Sequence, residues 1–224
     1  MRKPLPWSYS ALDDFINCPR AYSEKRVFKT VQEPQSEQML YGNYVHKAFE
    51  NRIKHGSALP PDLMQHERYM QQLESDGREL FTERKIALNT KAQPCSFFDR
   101  GVWFRGVIDF TALGETNAKV IDYKTGKEHQ KFAQLKLFAL WLFAKHPELE
   151  KVHCEFYWTK TKTTTGEMYY REQIDQLWAT FLPNLRQYVE AFKTDTWQPR
   201  QSGLCNGWCP VTDCEFWRPK KQRR

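Results

Sequence analysis

Two aspartates inside apolar strands constrain this chain more than any other feature. Residues 105–124 read RGVIDFTALGETNAKVIDYK, in which two apolar runs flank a Gly-Glu-Thr-Asn turn, so the segment predicts a β-hairpin. Asp109 lies within the first run, Asp122 lies within the second, and Lys124 follows two residues later. Because a buried carboxylate is costly unless something pairs with it, a bound divalent cation is the expected partner.

The alternation of side chains along a strand decides where these polar groups point. If Phe110 and Ile121 face the core, then Asp109, Asp122 and Lys124 come together on the opposite face of the hairpin. The sequence satisfies this parity, and the hairpin is therefore a candidate site and not only a structural element.

Composition sets the class of protein. The chain has 224 residues, of which 40% are hydrophobic and 15% aromatic, which suits one compact domain over residues 1–224. It has no apolar run of membrane-spanning length and no secretory signal, so we expect a cytoplasmic protein with no membrane partner. The formal net charge of +7 suits a polyanionic partner, and a basic tail occupies residues 218–224, although such a tail can also be simply solvated.

Periodicity and turn residues predict alternating helices and strands. A short helix follows Ser10 and ends near Cys18. The further predicted helices are 36–54, 62–83, 129–146 and 174–192, and the further strands are 85–88, 151–159 and 166–171. Pro183 is expected to kink the last of these helices. This order indicates a mixed α/β domain.

One histidine lies on a predicted helix with space beside it. Gly42 and His46 are four residues apart in the helix over 36–54, so they share a face on which the glycine leaves room for a ligand. The alternative is a histidine at the edge of the core with a single hydrogen bond.

The chemistry that the hairpin suits is hydrolysis of a phosphodiester. Asp109 and Asp122 can bind Mg²⁺ or Mn²⁺, with the backbone carbonyl of Tyr123 as a further ligand. Lys124 can orient water or stabilise charge in the transition state. The alternative for Asp122 and Lys124 is an ion pair on an edge strand, since Asp-x-Lys is common by chance.

A wider pattern carries a family resemblance. A Gly-x-x-x-His helix, an Ile-Asp strand, the run Ile-Asp-Tyr-Lys-Thr-Gly and Gln134 in the next helix resemble the PD-(D/E)XK nucleases. More narrowly, these motifs and the opening Trp-Ser-Tyr-Ser-Ala-Leu with Cys-Pro-Arg are similar to the RecB-type branch. That branch includes AddB-like recombination nucleases, CRISPR-associated four-cysteine nucleases and phage exonucleases. The resemblance spans residues 7–217.

The resemblance implies a restriction-endonuclease-like core, with a central mixed sheet flanked by helices, and assigns roles to its residues. By this resemblance His46, Asp109 and Asp122 bind the catalytic metal. The candidate catalytic residues are Asp109, Asp122, Lys124 and Gln134. Gln134 matches a Gln-x-x-x-Tyr motif that lies near the DNA, although Phe138 stands where the tyrosine is usual. Glu83 is a candidate accessory acid.

The cysteines add a second metal-ligand pattern. Cys205, Cys209 and Cys214 form a compact loop, and Cys18 is the candidate fourth ligand. By the same resemblance, residues 1–30 and 196–217 form a subregion in which these cysteines clamp the two ends of the chain around a 4Fe–4S cluster. The spacings differ by one residue in each gap from the usual ones, so Zn²⁺ remains open, as do reduced thiols without metal.

The predicted function is that of a metal-dependent DNA nuclease, expected to be an exonuclease in recombination, repair or phage DNA processing. Its expected partners are linear DNA, single- or double-stranded, and recombination or helicase proteins of a bacterial or phage-infected host cell. The alternative is a non-catalytic DNA-binding or scaffold protein with a structural metal clamp. The complete set of Asp109, Asp122 and Lys124 favours the enzyme.

Overall fold

The computed structural model describes residues 2–32 and 35–220. The chain divides into two compact units, one formed by residues 35–180 and the other by residues 1–34 together with 181–224. No helix in the described part is long and apolar enough to cross a membrane. Of the predicted basic tail over 218–224, residues 221–224 lie outside the described residues.

Seven α-helices and five strands make up the regular structure of the described residues. The helices are α1 Tyr9–Asn17, α2 Pro19–Tyr22, α3 Glu37–His55, α4 Glu67–Glu74, α5 Ala133–Lys145, α6 Ile174–Ala179 and α7 Leu182–Thr194. The strands are β1 Glu79–Asn89, β2 Val102–Leu113, β3 Asn117–Lys124, β4 Lys151–Trp158 and β5 Thr163–Tyr170. Short helical turns are Ser23–Val27, Pro61–His66, Arg171–Gln173 and Gly203–Cys205.

The unit of residues 35–180 is built on one mixed sheet in the order β1-β2-β3-β4-β5. The β3–β4 pair is parallel and the other neighbouring pairs are antiparallel. The predicted hairpin is confirmed as β2 and β3, and Phe110 lies opposite Ile121 as the parity argument requires. The α/β class predicted from the sequence is therefore confirmed.

Two helices lie on opposite faces of the hairpin. On one face, Val45 and Phe49 of α3 share a buried cluster with Phe110, Ile121 and Tyr123. Because side chains alternate along β3, its other residues point to the opposite face, where α5 packs on β3 and β4. Asp122 and Lys124 of β3 thus lie on the face that α5 covers, near the start of that helix.

The predicted helix over 62–83 is wrong in its second half. The helix α4 ends at Glu74, and Gly77 adopts a left-handed conformation with φ +79° that helices do not tolerate. The chain then enters β1 at Glu79, six residues before the predicted first strand. Leu73 and Leu80 are seven residues apart, a spacing that fits one face of a continuous helix. The apolar pattern therefore gave no sign that the helix ends and a strand begins between them.

The predicted helix over 174–192 is two helices, α6 and α7, separated at residues 180–181. Pro183 lies in the first turn of α7, where its missing N–H costs no hydrogen bond, so it begins a helix and does not kink one. The helix predicted over 129–146 begins later, at Ala133.

The other unit joins the two ends of the chain through protein contacts. The hydroxyls of Tyr22 and Tyr188 lie 2.7 Å apart, and Tyr188 also donates to the carbonyl of Leu5 at 3.1 Å. Arg200 Nη1 donates to the carbonyl of Ile16 at 2.5 Å. In α1 the N-cap is Ser8, two residues before Ser10, after which the sequence predicted the helix to begin.

Candidate active site

Three potential metal ligands meet at the open end of the hairpin. His46 of α3, Glu83 of β1 and Asp109 of β2 each offer one ligand atom, and these atoms all lie within 4.8 Å of one another. His46 Nδ1 is 3.3 Å from Asp109 Oδ1 and 3.9 Å from Glu83 Oε1. Each residue comes from a different element, so the group depends on the tertiary fold.

Glu83 enters this group through an unusual backbone conformation. Its φ of +48° is left-handed, in the middle of β1, where a residue with a Cβ is strained. Thr82 still pairs with Phe110 and Arg84 with Ile108, so the strand resumes its register on either side. A strained residue held between regular pairs is typical of a functional position.

Asp109 is buried but not free of partners. It is 6% exposed, and its Oδ2 accepts a 2.7 Å hydrogen bond from the backbone N–H of Tyr123. Burial and the neighbouring charge of Asp122 raise the pKa of Asp109 to about 6, against the opposing effect of His46. The two aspartates therefore repel one another in the absence of a cation.

His46 is held at both ring nitrogens. Its Nε2 lies 2.9 Å from the backbone carbonyl of Tyr123, while Nδ1 faces the carboxylates. Burial lowers the pKa of His46, but hydrogen bonds to Asp109 and Glu83 outweigh it and raise the pKa to about 10. Without a metal, the imidazolium supplies the positive charge between the two acids.

A second cluster lies beside the first and joins β3 to α5. Asp122 is 3% exposed, and Lys124 Nζ lies 2.5 Å from its Oδ2. Gln134 Nε2 donates to Asp122 Oδ1 at 2.7 Å, and Gln134 Oε1 accepts from Lys124 Nζ at 2.9 Å. Lys124 Nζ also lies 5.0 Å from the centroid of the Phe156 ring, so the ammonium is fixed from several directions.

The structure thus brings the predicted site residues to one end of the sheet in two adjoining clusters. His46, Asp109 and Glu83 form the first, and Asp122, Lys124 and Gln134 form the second. Asp122 was predicted as a metal ligand, but in this arrangement its oxygens contact Lys124 and Gln134. Phe138, which stands in place of a tyrosine, is 2% exposed in α5.

Comparison with known proteins identifies the family. The model of the PD-(D/E)XK nuclease superfamily matches residues 6–214. The chain belongs to the PD-(D/E)XK nuclease superfamily. The match covers nearly the whole sequence, and the matched range includes every residue of the two clusters.

A solved structure shows the same fold. A crystal structure named "Putative exonuclease", from Eubacterium rectale, is 12% identical, with a TM-score of 0.53 over 91% of this chain and 86% of that one. A second solved structure, SSO0001, is 15% identical over 96% of this chain and 88% of that one, and its TM-score of 0.42 is too low to carry an argument. No curated protein sequence matches the chain.

PD-(D/E)XK nucleases use divalent metals, and the first cluster suits such an ion. Glu83 and Asp109 offer carboxylate oxygens, which Mg²⁺ and Mn²⁺ prefer, and His46 offers an imidazole nitrogen as a third ligand atom. The mutual repulsion of buried Asp109 and Asp122 is also relieved by a cation. The residues present therefore fit the group that the superfamily implies.

The four cysteines predicted as a clamp line one cavity of about 120 Å³ in the unit that holds both chain ends. In the described part of the chain, however, no three of their sulfurs lie within 4.8 Å of one another, so a metal clamp is not shown. Backbone N–H groups of Ala21 and Arg200 donate to Cys18 Sγ at 3.5 and 3.4 Å.

The sequence offers only a weak signal for Glu83, because this residue falls at the end of the helix predicted over 62–83 and before the strand predicted over 85–88. The structure places it in β1, paired with the strand that carries Asp109. The residues ELFTERKIALN do not alternate strictly, and the available signal was Gly77, a helix breaker after which a strand can begin. Read in that way, the sequence offers an acid opposite Asp109.

Proposed function

We propose that this protein is a divalent-metal-dependent DNA nuclease that hydrolyses phosphodiester bonds, with the two clusters as its active centre. The observation that carries the proposal is the hydrogen-bonded set of Asp122, Lys124 and Gln134 beside the buried acids of the first cluster. A lysine held against the buried carboxylate of Asp122 suits a reaction that concentrates negative charge on a phosphate.

Each side chain has a separate task in this proposal. Lys124 places its ammonium where charge grows on the phosphate, and Gln134 fixes both Lys124 and Asp122 so that neither has to reorganise during the reaction. His46 and the backbone of Tyr123 hold Asp109 in one orientation. The low exposure of both aspartates keeps water from screening these charges.

Mg²⁺ or Mn²⁺ would be held by His46, Glu83 and Asp109, with Asp122 and the Tyr123 carbonyl as the other ligands we predict. When bound, the ion supplies an activated water and neutralises the phosphate. We propose Glu83 as a metal ligand and not only as an accessory acid, because its carboxylate lies close to His46 and Asp109.

The biological setting proposed is the RecB-type branch of the superfamily. We infer an exonuclease that acts on linear DNA in recombination, repair or phage DNA processing, together with recombination or helicase proteins. The motifs quoted from the sequence support the branch, and the name of the E. rectale structure agrees with exonuclease action. The sequence has no P-loop motif, so any duplex unwinding is left to a partner.

The test is cleavage of end-labelled linear DNA with Mg²⁺ or Mn²⁺ by wild type, Asp122→Ala and Lys124→Ala. Lys119→Ala is the matched control, because Lys119 lies on the same strand and also pairs with a carboxylate, Glu155, at 3.0 Å. We expect cleavage by wild type and control and at least about a 100-fold loss in both site variants. Equal cleavage by all four proteins contradicts the assignment of this catalytic centre. No cleavage by wild type contradicts the nuclease itself and leaves a non-catalytic DNA-binding protein.

We also propose that Cys18, Cys205, Cys209 and Cys214 bind a 4Fe–4S cluster. A single Zn²⁺ would draw four sulfurs to about 3.8 Å from one another, whereas no three of these sulfurs lie within 4.8 Å of one another in the described residues. A four-iron cluster holds its sulfurs farther apart and suits an enclosed cavity with N–H donors to sulfur.

Anaerobically purified protein tests the cluster through its visible absorbance and its iron and zinc content. We expect a brown protein that contains iron, with the colour lost in Cys209→Ser and kept in Cys95→Ser, whose cysteine does not line this cavity. A colourless protein with stoichiometric zinc refutes the iron–sulfur cluster, and a colourless protein without metal refutes both.

A further inference from the structure

The segment between β1 and β2 presents an exposed aromatic ring beside two cations. Phe98 is 74% exposed, and Phe97 packs edge-to-face against it with ring centroids 5.2 Å apart. Lys85 Nζ lies 5.6 Å from the centroid of the Phe98 ring, and the guanidinium carbon of Arg105 lies 6.0 Å from it. We call Lys85, Phe97, Phe98 and Arg105 the aromatic–basic patch.

The two cations of this patch lie on one face of the β1–β2 ladder. Lys85 is directly opposite Val107, and Arg105 is two residues before Val107 on the same strand, so the three side chains share a face. Val107 is 36% exposed, which leaves this face open to solvent between the cations. The patch is therefore continuous with an open strand surface.

Neither cation of the patch is neutralised within the described residues. Lys85 and Arg105 contact aromatic rings but form no ion pair with a carboxylate there. By contrast, Arg52 of the same unit binds both Glu67 and Glu74. A guanidinium and an ammonium held against rings, without a counter-ion, are available to phosphate groups.

The patch lies along the strands that lead to the proposed catalytic centre. Lys85 is two residues beyond Glu83 on β1, and Arg105 is four residues before Asp109 on β2, a distance of about 14 Å along the strand. A nucleic acid whose phosphate is at Asp109 can therefore cross this face and reach Phe98.

We propose that the aromatic–basic patch binds single-stranded DNA next to the scissile phosphate, an inference that rests on the proposed nuclease function. An exposed phenyl ring gains energy from an unpaired base, which can stack on it, while the cations pair with the backbone phosphates. In a duplex the bases are already stacked on their neighbours, so the ring has little to bind. The patch therefore selects an unpaired strand over a duplex.

The experiment measures binding without hydrolysis. All proteins carry Lys124→Ala and are kept in EDTA, and the probes are a fluorescein-labelled oligothymidylate and a blunt duplex of equal length, followed by fluorescence anisotropy. We expect Phe98→Ala to weaken binding of the single strand at least about fivefold and to leave duplex binding unchanged. For Lys85→Ala, the slope of log affinity against log salt on the single strand should fall by about 0.7.

Two matched variants serve as controls. Tyr170→Ala removes an aromatic ring that is 42% exposed on β5, at the other edge of the sheet. Lys151→Ala removes a lysine opposite Asn117, at the far end of β3 from Lys124. Neither control should change the affinity or the salt slope, and far-UV circular dichroism should show that every variant is folded.

An unchanged single-strand affinity in both Phe98→Ala and Lys85→Ala overturns the proposal, and so does an equal loss for single strand and duplex in Phe98→Ala. Failure of the proposed nuclease function has a different signature. In that case wild type cleaves no DNA with Mg²⁺ or Mn²⁺, whereas the binding differences between the patch variants and their controls persist.

Discussion

The side-chain amide of Gln134 donates a 2.7 Å hydrogen bond to Asp122 from the first turn of α5. The same amide accepts a hydrogen bond from Lys124 at 2.9 Å. Gln134 therefore fixes the carboxylate of Asp122 and the ammonium of Lys124 relative to one another. Gln134 thus acts through Asp122 and Lys124, and its removal should affect their positions more than DNA binding.

We predict that Gln134→Met lowers kcat about 10- to 100-fold with little change in KM. Methionine has a similar length but neither donates nor accepts these hydrogen bonds, so Lys124 loses its fixed position, and small displacements of catalytic groups are costly. Steady-state cleavage of labelled DNA measures both constants. Gln130→Ala, an exposed residue before α5, is the control. A rise in KM alone would show that Gln134 binds DNA and does not position Lys124.

The effect of the left-handed backbone at Glu83 on stability should be separable from the effect of its carboxylate on metal binding. We predict that Glu83→Gly makes the metal-free protein about 1 kcal/mol more stable than Glu83→Ala, because glycine adopts φ +48° without strain. Both variants should lose affinity for Mn²⁺ in calorimetric titrations. Denaturant unfolding in EDTA measures the difference in free energy of unfolding.

Gly77 provides the reverse control for this comparison. Its φ is +79°, and a Cβ added there meets nothing within 4 Å, so Gly77→Ala should cost about 1 kcal/mol through backbone strain alone and leave Mn²⁺ binding intact. Equal stabilities of Glu83→Gly and Glu83→Ala would mean that β1 relaxes around residue 83 when its carboxylate is absent.

We predict that Mn²⁺ stabilises the protein through the first cluster. At a free concentration 100 times the dissociation constant, binding to the folded state alone adds about 2.7 kcal/mol, which corresponds to a rise in Tm of roughly 5–10 °C for a chain of this size. His46→Ala should remove most of this rise. The control is His55→Ala, an exposed histidine at the end of the same helix. A rise that persists in His46→Ala would place the ion elsewhere.

The part of the site that depends on local spacing could be predicted from the sequence. Asp122 and Lys124 are two residues apart on β3 and therefore share a face. The pairing of Phe110 with Ile121 sets the register of the hairpin. Glu83 could not be predicted with the same certainty, because its role depends on pairing between distant strands and on a left-handed backbone.

The errors in secondary structure have a similar cause. The helix predicted over 62–83 fails at Gly77, where one backbone conformation outweighs an apolar spacing that continues past it. The helix over 174–192 divides at residues 180–181, just before Pro183, which the sequence predicts as a kink within one helix and not as the start of a second. Apolar periodicity measures which face of a segment is buried, and it does not report where the backbone changes direction.

A buried histidine away from the site should make the protein sensitive to acid. His66 is 1% exposed, and its Nδ1 lies 2.8 Å from the hydroxyl of Tyr157. Burial, and then the charge of Lys162, lower the pKa of His66 from its usual value. The folded state therefore holds His66 neutral, while the unfolded chain binds a proton below its pKa of about 6.5.

Stability associated with His66 is thus present above pH 6.5 and is lost as the pH falls below it, because only the unfolded state gains the proton. We predict that His66→Gln reduces the loss of unfolding free energy between pH 7 and pH 5.5, even though the variant is less stable than wild type at pH 7. Denaturant unfolding across this range, in EDTA, measures the two slopes. His55→Gln, which replaces an exposed histidine, should keep the wild-type slope. Parallel slopes for wild type and His66→Gln would show that the pKa of His66 is the same in the folded and unfolded states, contrary to its burial.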